Sequence, residues 1–335
     1  MTAFTRRPKS VLTALAAGAA FALSALSAQA TELRLSHQWS TGDVRHQVAQ
    51  MIADEVAAAD VGLSIRIFPS GSLFSALEQW RPLTRGQLDM TVLPLSYAGG
   101  QQPAFNLTLM PGLVKSHEHS ERLFESEFFG ELERLMAEDD VMVVAHGYLA
   151  GAFGSRGECI TRPEHMAGKQ VRAAGRAFEQ MLAQAGASIA SMASSEIYNA
   201  MQTGVLDAAV TSSESFVSFR LYEQVRCFTR AGDVALWFMY QPVLINKTAF
   251  DGLTPEQQEA LMAAGAKAQA FYIEQAKAAD EAAAARFAEA GVEVVEMTQE
   301  DFDAWRAVAE QSSYPAFVAE TPNGQALLDM ALSVE

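Results

Sequence analysis

The chain has 335 residues, half of them apolar, with 40 acidic against 24 basic side chains and a formal net charge of −16. That charge argues against nucleic acid and anionic lipid surfaces as partners, since both repel it. An anionic ligand would have to be held by a local cation against the field of the whole molecule.

Arg6, Arg7 and Lys9 form a basic head, residues 11–26 an apolar run rich in Ala and Leu, and Ala28-Gln29-Ala30 a small-x-small cleavage pattern. Together they predict a secretory signal peptide over 1–30. The alternative, a membrane anchor, needs roughly 20 apolar residues, more than this run supplies. Arg6-Arg7 is a twin-arginine pair, but Pro8 and Lys9 follow it, so Sec and Tat export both stay open. The signal carries three basic residues and no acidic one, so its removal takes the net charge to −19. No later window holds 18 uninterrupted apolar residues, which predicts a soluble exported protein. The remaining length can bury a large core and points to two lobes.

Leu33 and Leu35 alternate with polar residues and predict a strand; 43–59 has helical periodicity; 63–68 alternates again and ends in Pro69-Ser70-Gly71. Residues 75–85 read as a helix kinked at Pro82 and stopped by Gly86, with a strand at 88–93. A helical stretch follows over 116–138, then a strand at 141–145, a short helical turn at 163–166 and a strand carrying Val171-Arg172. A helix at 215–225 and an aromatic strand at 236–240 come next. Thr254-Pro255-Glu256-Gln257 is a capping box with Pro at the first helical position. It opens an Ala-rich helix reaching about residue 290, long enough to span two lobes, with Gly265 as a soft spot. Residues 292–297 read as a strand, and Thr298 caps a further helix. The rhythm predicts parallel or mixed sheets covered by helices.

One pattern occurs twice. Leu83-Thr84-Arg85-Gly86-Gln87-Leu88-Asp89-Met90-Thr91-Val92 is echoed by Met201-Gln202-Thr203-Gly204-Val205-Leu206-Asp207-Ala208-Ala209-Val210. Each is a helix end, a left-handed Gly cap and Leu-Asp entering an apolar strand, and each follows a strand bearing an arginine, Arg66 or Arg172.

No catalytic motif stands out. His117 and His119 lie two apart, on different faces of a helix, and make a poor metal pair. Cys159 and Cys227 form a disulfide or stay as two buried hydrophobes. Arg172, at a strand end between Gly168 and Gly175, either aims its fork at a ligand carboxylate or pairs with Glu196 across the lobes. Ser194 and Ser195 read as ligand contacts or as N-caps, with capping favoured. Trp39, Trp237, Phe238 and Tyr240 wall a pocket or fill core.

Gly168-Lys169-Gln170-Val171-Arg172, with Ser195-Glu196-Ile197-Tyr198-Asn199-Ala200-Met201-Gln202-Thr203-Gly204-Val205-Leu206-Asp207, resembles the substrate-binding proteins of TRAP transporters, of the DctP type. The second stretch carries the motif S-E-x-Y-x-A-x-Q-x-G-x-x-D; the likeness runs over nearly all of 32–335. It implies an α/β Venus-flytrap protein with a long helix spanning both lobes, the first made of 31–149 plus 238–277 and the second of 150–237 plus 278–335. It implies a periplasmic monomer that binds a small organic anion without a cofactor or metal and hands it to the small and large membrane subunits of a permease. Arg172 matches the arginine that pairs with the ligand carboxylate. Thr211 stands where many members place a supporting Asn, Ser194 where some place an aromatic ring, and Gln38 and Trp39 where first-lobe contacts arise. Glu196 and Trp237 complete the expected ligand set. Gly154 takes the place of a second arginine found in sialic-acid binders, and Arg156 lies close by. Two other classes fit an exported two-lobe chain: an enzyme, which would need a nucleophile–base pair, and the ligand-sensing subunit of a signalling complex.

Overall fold

The computed structural model describes residues 31–335; the expected signal peptide lies outside them. In chain order the strands are β1 (Thr31–Ser36), β2 (Leu63–Phe68), β3 (Met90–Val92), β4 (Val141–Ala145), β5 (Tyr148–Ser155), β6 (Gln170–Ala173), β7 (Ser188–Ser191), β8 (Ala208–Ser212), β9 (Cys227–Arg230), β10 (Trp237–Tyr240), β11 (Val243–Asn246) and β12 (Glu293–Glu296). They form two mixed sheets. The first runs β2-β1-β3-β11-β4; the second runs β12-β9-β5-β8-β6-β7, with β10 paired to β5.

The repeated pattern is structural. Within the sheets, β2-β1-β3 and β7-β6-β8 have the same parallel order. Gly86 and Gly204 both adopt positive φ, 64° and 79°, which a side chain would strain. Asp89 Oδ2 accepts the Arg34 N–H at 2.8 Å, and Asp207 Oδ2 accepts the Gln170 N–H at 2.8 Å. In each copy the Asp therefore ties its own strand to the first strand of the unit. The equivalence of Arg66 and Arg172 does not hold. Arg66 sits on β2, at the edge of its sheet, and covers the Phe68 ring at 4.8 Å; Arg172 sits on the inner strand β6.

The chain passes from the first sheet to the second at 146–147 and returns at 241–242. These two passages are bonded to each other, the Gln241 N–H donating to the Gly147 carbonyl at 2.8 Å. Gly147 has no room for a side chain, because a Cβ there would meet the Tyr272 ring at 2.1 Å. The expected lobe boundary at 237/238 falls inside β10, all four residues of which pair with β5.

The long helix, Pro255–Glu289, is uninterrupted, and its capping box forms as the sequence predicts. At 35 residues it is about 52 Å long and contacts strands of both sheets. Gly265 is a point of close approach rather than a soft spot. A Cβ there would lie 2.2 Å from the Val144 carbonyl, so its absence lets the helix rest directly on β4.

Other expected helices break where local chemistry stops them. Residues 75–85 form a 3-10 turn, Ala76–Glu78, and a short helix, Trp80–Thr84. Pro82 falls in that helix's first turn, where its missing N–H costs nothing. Residues 116–138 split into His117–Phe124 and Glu127–Glu138, because Ser126 caps the second helix. Residues 215–225 split into Ser213–Ser218 and the turn Leu221–Glu223 around left-handed Arg220. Among the described residues no helix is long and apolar enough to cross a membrane.

Cys159 and Cys227 form a disulfide, with Cα atoms 5.1 Å apart. It closes a 68-residue interval containing β6, β7 and β8. Restricting the unfolded chain in this way stabilises by about 4 kcal/mol in the chain-entropy account. Reduction is expected to lower the melting temperature, read by calorimetry with and without reductant. An unchanged melting point would show that the bridge constrains nothing.

Candidate functional site

The carboxyl ends of the parallel strands meet between the two sheets, where open α/β sheets hold ligands. From the first sheet come Gln38 and Trp39 after β1, and Pro94 and Tyr97 after β3. From the second come Arg172 and Ala174 at β6, Ser194 after β7, Thr211 and Ser212 on β8, and Trp237 and Met239 on β10. Arg45 and Gln241 close the back. All but Gln38 line one cavity with about 180 Å³ of empty space, of which about 10 Å³ is open to the centre of a water molecule. That is room for roughly one water.

Arg172 is fully buried. Its Nε donates to Met192 O at 3.0 Å, Nη1 to Val210 O at 2.8 Å and Nη2 to the Tyr97 hydroxyl at 2.9 Å. A guanidinium has five N–H donors, so one remains on each terminal nitrogen. No carboxylate among the described residues pairs with it. The expected alternative, an ion pair with Glu196, does not form. Glu196 is exposed and its carboxylate accepts the Ala193 N–H at 2.8 Å. It lines a separate open depression with Gln38, Ser70 and Ser195. A buried cation with no counter-ion is costly, and that cost marks a place for an anion.

Tyr97 accepts from Arg172 and also from the Ser194 N–H at 3.1 Å. Both acceptor positions of its oxygen are thus used, and its own O–H is free to donate. Ser194 is not an N-cap; its hydroxyl donates to Gln38 Oε1 at 3.3 Å. The buried donors Gln38 Nε2, Trp39 Nε1 and Trp237 Nε1 have no protein partner. Buried polar groups are nearly always satisfied, so three orphans around one cleft point to a ligand. The Trp237 ring packs against Gly151 of β5, where a Cβ would stand 2.3 Å from it. Gly154, three residues on, faces the other way: a Cβ there would meet Phe216 at 2.4 Å. An arginine at 154 would be driven into the apolar cluster around Phe216 and Phe228.

Arg45 was not foreseen. Asp43-Val44-Arg45 opens a helical pattern that singles out no buried charge, yet Arg45 is 1% exposed. Its Nε and Nη2 form a bidentate pair with Asp43 at 2.7 and 2.6 Å. Nη1 reaches Ser212 Oγ (3.3 Å) and Gln241 Oε1 (3.0 Å), and Nη2 reaches Ser215 Oγ (3.0 Å). The guanidinium also lies over the Trp39 ring at 4.1 Å. Burial opposes its charge, but the Asp43 carboxylate holds its pKa above the ordinary value. On the same side Glu214 Oε1 accepts the Val44 N–H at 3.0 Å. Tyr97 was also missed; its position just past the end of β3 is the signal that the strand-end rule supplies.

Two histidines respond to pH. His37 Nδ1 accepts the Trp39 N–H at 3.2 Å, so Nε2 carries the proton and donates to His46 Nδ1 at 3.1 Å. Burial, with His46 adding to it, pushes His37 down to about 4. Burial likewise pushes His146, held by the Tyr240 hydroxyl at 2.6 Å, down to about 4. Both bind protons more readily unfolded, near pH 6.5. Their contribution is therefore full above that pH and is lost as pH falls from about 6.5 towards 4, up to roughly 3 kcal/mol each. The melting temperature is expected to fall between pH 7.5 and 4.5, and less so in His146→Gln. Identical slopes in the two proteins would contradict this. His117 and His119 point apart, to Asp280 and to the Val334 carbonyl, as their spacing predicts.

The class defined by this arrangement is a two-sheet receptor with a cation buried between its halves. The chain belongs to the DctP family, the bacterial extracellular solute-binding proteins of family 7, whose model matches residues 35–320. It is 36% identical over 310 residues to a solute-binding protein of Albidiferax ferrireducens, covering 91% of this chain and 92% of that one. The 2,3-diketo-L-gulonate-binding periplasmic protein YiaO of Escherichia coli is 27% identical, over 92% and 93% of the two chains. A TRAP periplasmic solute-binding protein from Rhodoferax ferrireducens, crystallised with bound malonate, shares 35% identity and a TM-score of 0.87, covering 90% of this chain and 98% of that one. The expected fold class and TRAP solute-binding family are therefore those found, and the family is one of receptors rather than enzymes.

Proposed function

We propose that this protein is exported to the periplasm by its cleaved signal peptide and binds a small organic acid on Arg172, as a monomer, without chemistry on the ligand. It then delivers the acid to the small and large membrane subunits of a TRAP permease. The observation that carries this reading is the buried, unpaired Arg172 fork with one N–H free on each terminal nitrogen, the arrangement that takes a carboxylate through two parallel bonds. Trp39, Trp237, Thr211, Ser194 and Gln38 surround the acid, with Tyr97 added and Glu196 left at the rim. The malonate bound by the Rhodoferax ferrireducens relative supports a compact acid.

The two halves touch through Tyr97–Arg172, Ser96–Ala174 and Arg45–Ser212, so this is the closed form. The acid enters when the lobes part about the passages at 146–147 and 241–242 and the long helix. Ligand closes them through contacts made by both lobes at once. A thermal-shift screen of small carboxylates, followed by scattering with the best of them, tests this. The expected results are a raised melting point and a smaller radius of gyration. No stabilising acid, or an unchanged radius at saturation, would count against it.

A further inference from the structure

Two arginines line the cavity, and they differ in what they have left to give. All five N–H groups of Arg45 are used: two on Asp43, and one each on Ser212, Ser215 and Gln241. Its charge is matched by Asp43, itself fully buried. Arg172 keeps two donors and its whole charge. The nearby titratable groups add no further cation. His37 is neutral at pH 7, burial and His46 having pushed it down to about 4. His46 is lowered by its own partial burial. Glu214, beside Asp43, contributes negative charge or none. Other unused donors around the cavity, Trp39 Nε1, Trp237 Nε1, the Tyr97 and Thr211 hydroxyls and Gln38 Nε2, are neutral.

From this count we infer that the ligand binds as a monoanion: one carboxylate on Arg172, and uncharged oxygens, of keto, hydroxyl or amide type, towards the indole and phenol donors. The inference rests on the carboxylate reading of Arg172. A second carboxylate would enter a closed cavity with no cation to meet it, in a molecule already strongly negative. Neutral donors satisfy a carbonyl or hydroxyl oxygen without that desolvation cost.

Calorimetric titration of the exported protein with acids matched to their monoamides tests it. The pairs are malonate with malonamate, succinate with succinamate, and glutarate with glutaramate. In the best-fitting pair the monoamide is expected to bind at least tenfold more tightly at pH 7.5. Any diacid that binds should do so with uptake of a proton, its affinity rising up to about tenfold per pH unit from 8 to 6 relative to its monoamide. Changes in the protein's own groups act on both members of a pair and cancel in the ratio. A diacid that binds as tightly as its monoamide, at a ratio independent of pH, overturns the inference and leaves the carboxylate reading standing. If none of these compounds and no other small carboxylate binds, both fall together.

Discussion

Replacing Arg172 by Ala is expected to abolish useful ligand affinity while leaving the empty protein folded. Losing one partner of a buried, hydrogen-bonded charge pair costs about 2–5 kcal/mol, or roughly 30-fold to several thousand-fold in affinity. Arg172→Lys should bind poorly too, since an ammonium cannot reproduce a fork whose other three N–H groups are spent on Met192, Val210 and Tyr97. The ligand-free melting point should move much less than the affinity. The variant loses three hydrogen bonds but also a buried charge that has no counter-ion. Titration calorimetry beside a thermal melt separates the two readouts. Near wild-type affinity in folded Arg172→Ala would make Arg172 a structural residue.

Asp43→Ala is expected to show the opposite balance. Here the buried partner of Arg45 is removed and the arginine is stranded with only hydroxyl and amide acceptors. Breaking a buried pair in this way costs about 3–5 kcal/mol. At roughly 1.5–2 °C per kcal/mol in a chain of this length, the melting point should fall by about 5–10 °C. Removing both partners, as Asp43→Ala with Arg45→Met, should recover much of the loss, because the buried arginine is no longer left without Asp43. Chemical denaturation of the two single variants and the double variant measures this. A loss below about 1 kcal/mol in Asp43→Ala would mean that water reaches Arg45 and that the pair is not sealed between the sheets.

Much of the frame was legible because its signals are local. The Gly-Leu-Asp pattern is a cap followed by a strand, and each Asp acts on a neighbouring strand of its own unit. Thr254-Pro255-Glu256-Gln257 fixes the start of the long helix within four residues. Arg172 was legible through its setting between glycines and through the family motif, and the disulfide through the pair of cysteines in an exported chain.

What escaped depends on distant partners. Strand β5 reads Tyr148-Leu149-Ala150-Gly151-Ala152-Phe153-Gly154-Ser155 and is buried at every position. It therefore lacks the polar alternation that announces a half-buried strand. Its glycines are there because Trp237 and Phe216 press on opposite faces. Nothing in the local sequence singles out Arg45; its burial comes from Ser212, Ser215 and Gln241, 167 to 196 positions away. Glu196 looked like a partner for Arg172 by spacing, but its carboxylate accepts the Ala193 N–H instead.

The central claim is that the cavity between the sheets holds a carboxylate on Arg172. A crystal structure of the protein grown with the acid that most raises its melting point tests it directly. The account predicts two carboxylate oxygens about 2.7–2.9 Å from Nη1 and Nη2 of Arg172, with an uncharged oxygen of the ligand on the indole N–H of Trp39 or Trp237. A ligand seated instead in the outer depression beside Glu196 and Ser195, or on the surface cations Arg156, Lys169 and Arg226, with Arg172 still bonded only to protein, would contradict it.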